Sequence, residues 1–77
     1  KIPFIMVTTP YPGVSPEDVE SLITTPIEKK LKEISDIKEI RSSSLEGMSF
    51  ISIEFEPDID LDVALQKVRD KIDLAKP

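Results

Sequence analysis

The apolar residues of this chain switch between two periods along its length, and that switching limits the folds open to it. From Ile2 to Thr9, β-branched and aromatic residues alternate, with Ile5 and Val7 on one face and Phe4, Met6 and Thr8 on the other. That is the two-residue period of a strand spanning about 2–9. Val19, Leu22, Ile23, Ile27, Leu31 and Ile34 then step by three and four, the face of a helix over about 16–34. The period returns to two in two segments, about 37–45 and 48–56, joined at Glu46-Gly47. In the second of these, Ile51, Ile53 and Phe55 oppose Phe50, Ser52 and Glu54. Helical spacing closes the chain, with Leu61, Ala64, Leu65, Val68, Ile72 and Ala75 marking a helix over about 60–75.

Local signals agree with these boundaries. Pro10, Pro12 and Gly13 stop the first strand, because proline donates nothing to a ladder and glycine permits unusual backbone angles. Ser15 is suited to cap the first helix, with Pro16 at its first position and Asp18 three residues on. Glu17, Asp18 and Glu20 sit at the end where the helix dipole favours negative charge, and Lys29, Lys30 and Lys32 at the other. Pro26 conflicts with this reading: a proline inside a helix costs roughly 3 kcal/mol and predicts a kink between Leu22 and Pro26. The apolar stripe nevertheless stays in phase across it. Asp60 caps the last helix in the same reading.

The order β-α-β-β-α defines an α+β class, a ferredoxin-like two-layer sandwich whose final strand is missing. In the complete fold the sheet runs 4-1-3-2, so the first strand here is expected to bear a row of unpaired backbone groups, a template for pairing with another chain. Truncation accounts for that open edge, and the start at Lys1 also reads as that of an excised segment. With 77 residues the chain forms one domain with a thin margin of stability.

Composition removes several function classes. There is no Cys and no His, so disulfides, thiolate chemistry, ordinary zinc sites and imidazole catalysis are excluded. Net charge is −5 with the bases scattered, which leaves no basic stripe for nucleic acid. No apolar run approaches the roughly 20 residues that span a bilayer. Asp58, Asp60 and Asp62 alternate like calcium ligands, but the Gly and Glu that an EF-hand requires are replaced by Val63 and Arg69. Capping explains these aspartates. Glu54 and Glu56 lie two apart, as a glycosidase pair does, without pocket-forming loops. Ser42 to Ser44 lack an activating base. No enzyme chemistry and no cofactor are expected.

One face of the sheet carries more information. A two-layer fold covers one sheet face with helices, so Phe4, Met6, Thr8 and Phe50 are expected to be exposed, and large exposed apolar patches mark interfaces or ligand surfaces.

From Tyr11 onward the chain resembles the first porter subdomain of bacterial resistance-nodulation-division (RND) efflux transporters of the acriflavine-resistance type. The residues that carry the resemblance are the turn Tyr11-Pro12-Gly13, the acidic helix start Pro16-Glu17-Asp18, and Pro26-Ile27-Glu28 in mid-helix. They continue with Arg41 to Ser44, Gly47, Phe55 and Asp60-Leu61-Asp62-Val63-Ala64, in order and without gaps. The resemblance implies a periplasmic segment of a trimeric inner-membrane pump that couples proton entry to export of amphiphilic small molecules or metal ions. It implies as partners the other porter subdomains of the same chain, a homotrimer, a periplasmic adaptor and an outer-membrane channel. Proton-carrying residues belong to transmembrane helices outside this segment.

By the same resemblance, Met6, Thr8, Phe50 and Ser52 match the sheet face that borders the drug pathway, although packing against a neighbouring subdomain would use the same residues. Asp62, Gln66, Asp70 and Asp73 match a helix that lines a central pore between protomers; a solvated helix face reads the same way. The mate subdomain in the second half of such transporters has a similar outline. The alternative is a free-standing ferredoxin-like ligand-binding or regulatory module that dimerises through its open strand edge. The isolated segment is expected to self-associate through strand 1 in either case.

Overall fold

The computed structural model describes residues 2–75. Its elements are β1 (Phe4–Pro10), α1 (Pro16–Val19), a π-helical turn (Glu20–Thr24), α2 (Thr25–Leu31), β2 (Ile37–Leu45), β3 (Met48–Phe55) and α3 (Leu61–Ala75). The order is that of a ferredoxin-like α+β unit. β1 begins at Phe4 rather than Ile2 and runs on to Pro10, and α2 stops at Leu31 rather than Ile34. Ile34 still reaches the core, from a turn in which its N–H donates to the Leu31 carbonyl.

The sheet is antiparallel, in the order β1-β3-β2. β3 lies between its neighbours, and its alternation is complete: Ile51, Ile53 and Phe55 are fully buried, while Phe50, Ser52 and Glu54 are half-buried on the other face. Ile5 and Ile40 flank Ile53 in register. Ile27, Leu31 and Ile34 from the first helical layer, with Ala64 and Val68 of α3, close over these residues. Each fully buried Leu, Ile or Phe side chain contributes roughly 1.5–3 kcal/mol relative to exposure.

Pro26 is accommodated by a change of helix type. The Thr25 N–H reaches back five residues to the Glu20 carbonyl, a π turn immediately ahead of the proline. Such a turn widens the helix where the ring would otherwise meet the preceding carbonyls. It also rotates the side chains. Leu22, expected in the core stripe, is 56% exposed, and Thr24 takes the inward position at 1% exposure. A threonine there needs partners, and it has two. Its Oγ1 lies 2.8 Å from Ser44 Oγ on β2 and 2.7 Å from Ser49 Oγ on β3.

The caps follow the sequence. Ser15 Oγ accepts from the Asp18 N–H at 3.3 Å, and Asp60 Oδ1 accepts from the N–H groups of Asp62 and Val63 at 3.0 and 3.3 Å. At the hairpin, Gly47 has a φ of +70°, and the Tyr11–Val14 loop is laced to it. Tyr11 N–H donates to the Gly47 carbonyl and Gly47 N–H to the Val14 carbonyl, both at 2.8 Å.

Hydrogen-bond direction also defines the free edge of β1. Phe55 N–H donates to the Pro3 carbonyl, and Tyr11 N–H to the Gly47 carbonyl. Odd-numbered residues of β1 therefore bond toward β3, and by alternation the backbone groups of Phe4, Met6 and Thr8 point away from the sheet. The other edge, β2, is blunted by a register shift between Ile37 and Glu39 that leaves Lys38 as the extra residue.

Candidate functional site

The face of the sheet turned away from the helices is built row by row from the register. Phe4, Glu54 and Glu39 form the first row, and Met6, Ser52 and Arg41 the second. Thr8, Phe50 and Ser43 follow, then Pro10, Met48 and Leu45. Met6, Thr8, Phe50 and Ser52 are thus brought together on adjacent strands, as the alternation predicts. Among the described residues no helix covers them: Phe4 is 55% exposed and Met6 61%.

The surface is graded. Its hairpin end is apolar, with Met48, Phe50 and Leu45 beside Pro10, and its other end is charged. Two shallow concavities lie along it. One of about 200 Å³ is lined by Met6, Phe50, Ser52, Ser43, Ser42 and Arg41. The other, about 230 Å³, is lined by Phe4, Ser52, Glu54, Glu39 and Arg41.

Glu39 and Glu54 stand opposite each other across β2 and β3, a like-charge pairing that destabilises a sheet unless compensated. Arg41 Nε donates to Glu39 Oε2 at 2.9 Å, and Lys38 Nζ approaches Glu54 Oε2 at 3.7 Å. The hydrogen bond from Arg41 to Glu39, then the carboxylate charge, raises the Arg41 pKa. Sequence reasoning had placed Glu54 on this face but missed Glu39 and Arg41. Counting back from the two-residue turn through Ser43↔Phe50 and Arg41↔Ser52 leads to Glu39↔Glu54, so the signal was present in the hairpin register.

The second predicted group lies elsewhere. Asp62, Gln66, Asp70 and Asp73 are exposed along α3, well away from the sheet's open face in sequence and layer. Gln66 Nε2 donates to Asp70 Oδ1 at 3.0 Å, which holds two members of the stripe together. Among the described residues no three Asp or Glu side chains converge as metal ligands. Glu56 follows the end of β3, where its N–H donates to the Asp36 carbonyl.

A fold of this order, with one sheet face covered and the other open and amphiphilic, defines the class as a ferredoxin-like α+β unit. The model of the AcrB/AcrD/AcrF family matches residues 1–77. Among solved structures, the crystal structure of a heavy metal efflux pump is similar at a TM-score of 0.86 and 26% identity, over 90% of this chain. The matched portion is 7% of that pump's own chain. The chain belongs to the AcrB/AcrD/AcrF family, among the RND efflux transporters that its sequence resembles.

Proposed function

We propose that this chain is the first periplasmic porter subdomain of a proton-driven RND efflux pump, and that the open face of its sheet borders the substrate pathway. The observation that carries the reading is the uncovered band of Met6, Thr8, Phe50 and Ser52, apolar side chains and hydroxyls side by side on β1 and β3. Such a surface suits amphiphilic molecules, which need contact area and few fixed polar partners. The chain's part in export is to present surface, not to make or break bonds. Among the described residues no helix is long and apolar enough to cross a membrane, so the proton-coupled steps are assigned to other segments.

In the same reading, Asp62, Gln66, Asp70 and Asp73 of α3 face a central pore shared by three protomers. An acidic stripe brought near its symmetry mates is repulsive in a dry contact, so that pore is hydrated. The remaining partners are the other porter subdomains, a periplasmic adaptor and an outer-membrane channel.

Met6→Ala and Phe50→Ala in the full-length pump test the reading. Both variants are expected to weaken export of amphiphilic probes while leaving the amount of pump unchanged. Unchanged export in both would remove the sheet face from the pathway.

A second reading has one observation in its favour, the outward-pointing backbone groups of Phe4, Met6 and Thr8 on an edge without charge or bulge. It is a ligand-binding module that dimerises through β1. Sedimentation of the 77-residue chain and of its Met6→Pro variant tests the edge itself: association lost with the Met6 N–H shows pairing through β1, and a chain that stays monomeric removes this second reading.

A further inference from the structure

The charged end of the open face has a property that the apolar end does not explain. Glu54 is the direct partner of Phe4 across β1 and β3. The Pro3–Phe55 hydrogen bond puts Phe4 and Glu54 in a pair without mutual backbone bonds, the closer of the two antiparallel spacings. The Glu54 side chain retains 18% of its surface, and no hydrogen bond to it exists among the described residues. Its opposite charge is Lys38 Nζ at 3.7 Å, beyond hydrogen-bond distance, on a side chain that is itself 58% exposed. Arg41 donates to Glu39, and its guanidinium also feels the Glu54 charge, more weakly than that of Glu39.

We infer that Glu54 selects for positive charge among the amphiphiles that lie on this face. Its carboxylate and the exposed ring of Phe4 take a cationic head group, and Met6 and Phe50 take the apolar body. A cation is attracted to both members of that pair, by Coulomb attraction to the carboxylate and by the quadrupole of the ring. Glu54 lies four positions along β3 from Phe50, roughly 14 Å at about 3.4 Å per residue. That length matches a rod-like amphiphile with a charged head at one end. The inference rests on the proposed role of the face in the pathway and adds a selecting residue to it. Lys38 acts as the internal competitor: it occupies the carboxylate loosely, from an exposed bulge, and is displaced by a cation that also contacts Phe4.

The test uses the full-length pump in proteoliposomes and two fluorescent probes with the same body, diphenylhexatriene and its trimethylammonium derivative. Glu54→Gln is expected to raise the half-saturating concentration of the ammonium probe by roughly three- to tenfold, the scale of one partly solvated charge contact with a ring beside it. The neutral probe is expected to be unchanged. Lys38→Gln breaks the same ion pair but frees the carboxylate, so it is expected to lower the half-saturating concentration of the ammonium probe. A purely structural role for the Lys38–Glu54 pair would move both variants in one direction and both probes alike, and that result overturns the inference. Phe50→Ala separates it from the reading on which it rests. If Phe50→Ala weakens export of both probes while Glu54→Gln affects the two equally or not at all, the charge selection falls and the pathway stands. If none of these variants changes export of either probe, both fall.

Discussion

Thr24→Val probes the joint between the π turn and the sheet. Valine keeps the shape of threonine, so the packing around a residue that is 1% exposed is preserved and only the hydroxyl is lost. Ser44 is half-buried and recovers a partner in water, whereas Ser49, also 1% exposed, loses the partner bonded at 2.7 Å. A buried hydroxyl left without a partner costs about 1–3 kcal/mol. The expected loss is therefore about 2 kcal/mol, or roughly 10 °C in Tm for a domain of this size. Ser49→Ala is expected to cost less, about 1 kcal/mol or below, because Thr24 keeps its bond to Ser44. The double variant is the sharper measurement. With both groups gone nothing polar is stranded, so Thr24→Val with Ser49→Ala is expected to be more stable than Thr24→Val alone. Urea denaturation of the 77-residue chain, followed by far-ultraviolet circular dichroism, gives all three values. Strict additivity of the two losses would refute the claim that these hydroxyls form one buried unit.

Further expectations follow from individual residues. Leu22→Gln is expected to change stability by no more than about 0.5 kcal/mol, because the π turn exposes that side chain, while Leu31→Ala costs about 2–5 kcal/mol. Equal losses in urea denaturation would return Leu22 to the core. Gly47→Ala combines a φ of +70° with a Cβ 3.4 Å from Pro12 Cα, whereas at Gly13, with a φ of +81°, nothing lies within 4 Å. The left-handed backbone costs about 1–2 kcal/mol at either site and 3.4 Å is ordinary contact, so the two alanine variants are expected to lose similar stability by thermal denaturation. The Glu33 carboxyl is held below its ordinary value by a hydrogen bond from Lys71, at 2.8 Å, then by the charges of Lys71 and Lys30. A carboxyl lowered in the folded state contributes stability above its unfolded pKa and loses it as pH falls through the folded one. Lys71→Met is accordingly expected to raise the Glu33 midpoint in an NMR titration, and an unmoved midpoint would show that the two residues do not interact in solution.

The parts of this fold legible in the sequence are those set by period and turn chemistry. Alternation alone separated Ile5 and Val7 from Phe4, Met6 and Thr8, and Ile51, Ile53 and Phe55 from Phe50 and Ser52, because a strand has only two faces. The exchange of Leu22 for Thr24 was not legible. A period of 3.6 treats the helix as uniform, and one π turn ahead of Pro26 rotates the stripe so that a hydroxyl enters the core. That choice depends on Ser44 and Ser49 waiting on two strands distant in sequence, which no local pattern reports. At the open face the apolar half was readable from alternation and the charged half only in part. Glu39 and Arg41 follow from the hairpin register, but the shift at Lys38, which pairs Ile37 with Phe55, is a tertiary adjustment. The same shift brings Lys38 toward Glu54.

Substrate protection of a single cysteine tests the central claim, that the open sheet face borders the pathway, most directly. The described chain has no cysteine of its own, so Ser52→Cys on β3 and Asp70→Cys on α3 place one thiol on each candidate surface. Both are introduced in turn into the full-length pump without other reactive thiols and labelled with a maleimide during turnover. The account predicts that an amphiphilic substrate slows labelling at Ser52→Cys and leaves Asp70→Cys unchanged. Equal labelling of Ser52→Cys with and without substrate, in a pump that still exports it, would contradict the account and leave the face as a packing surface between subdomains.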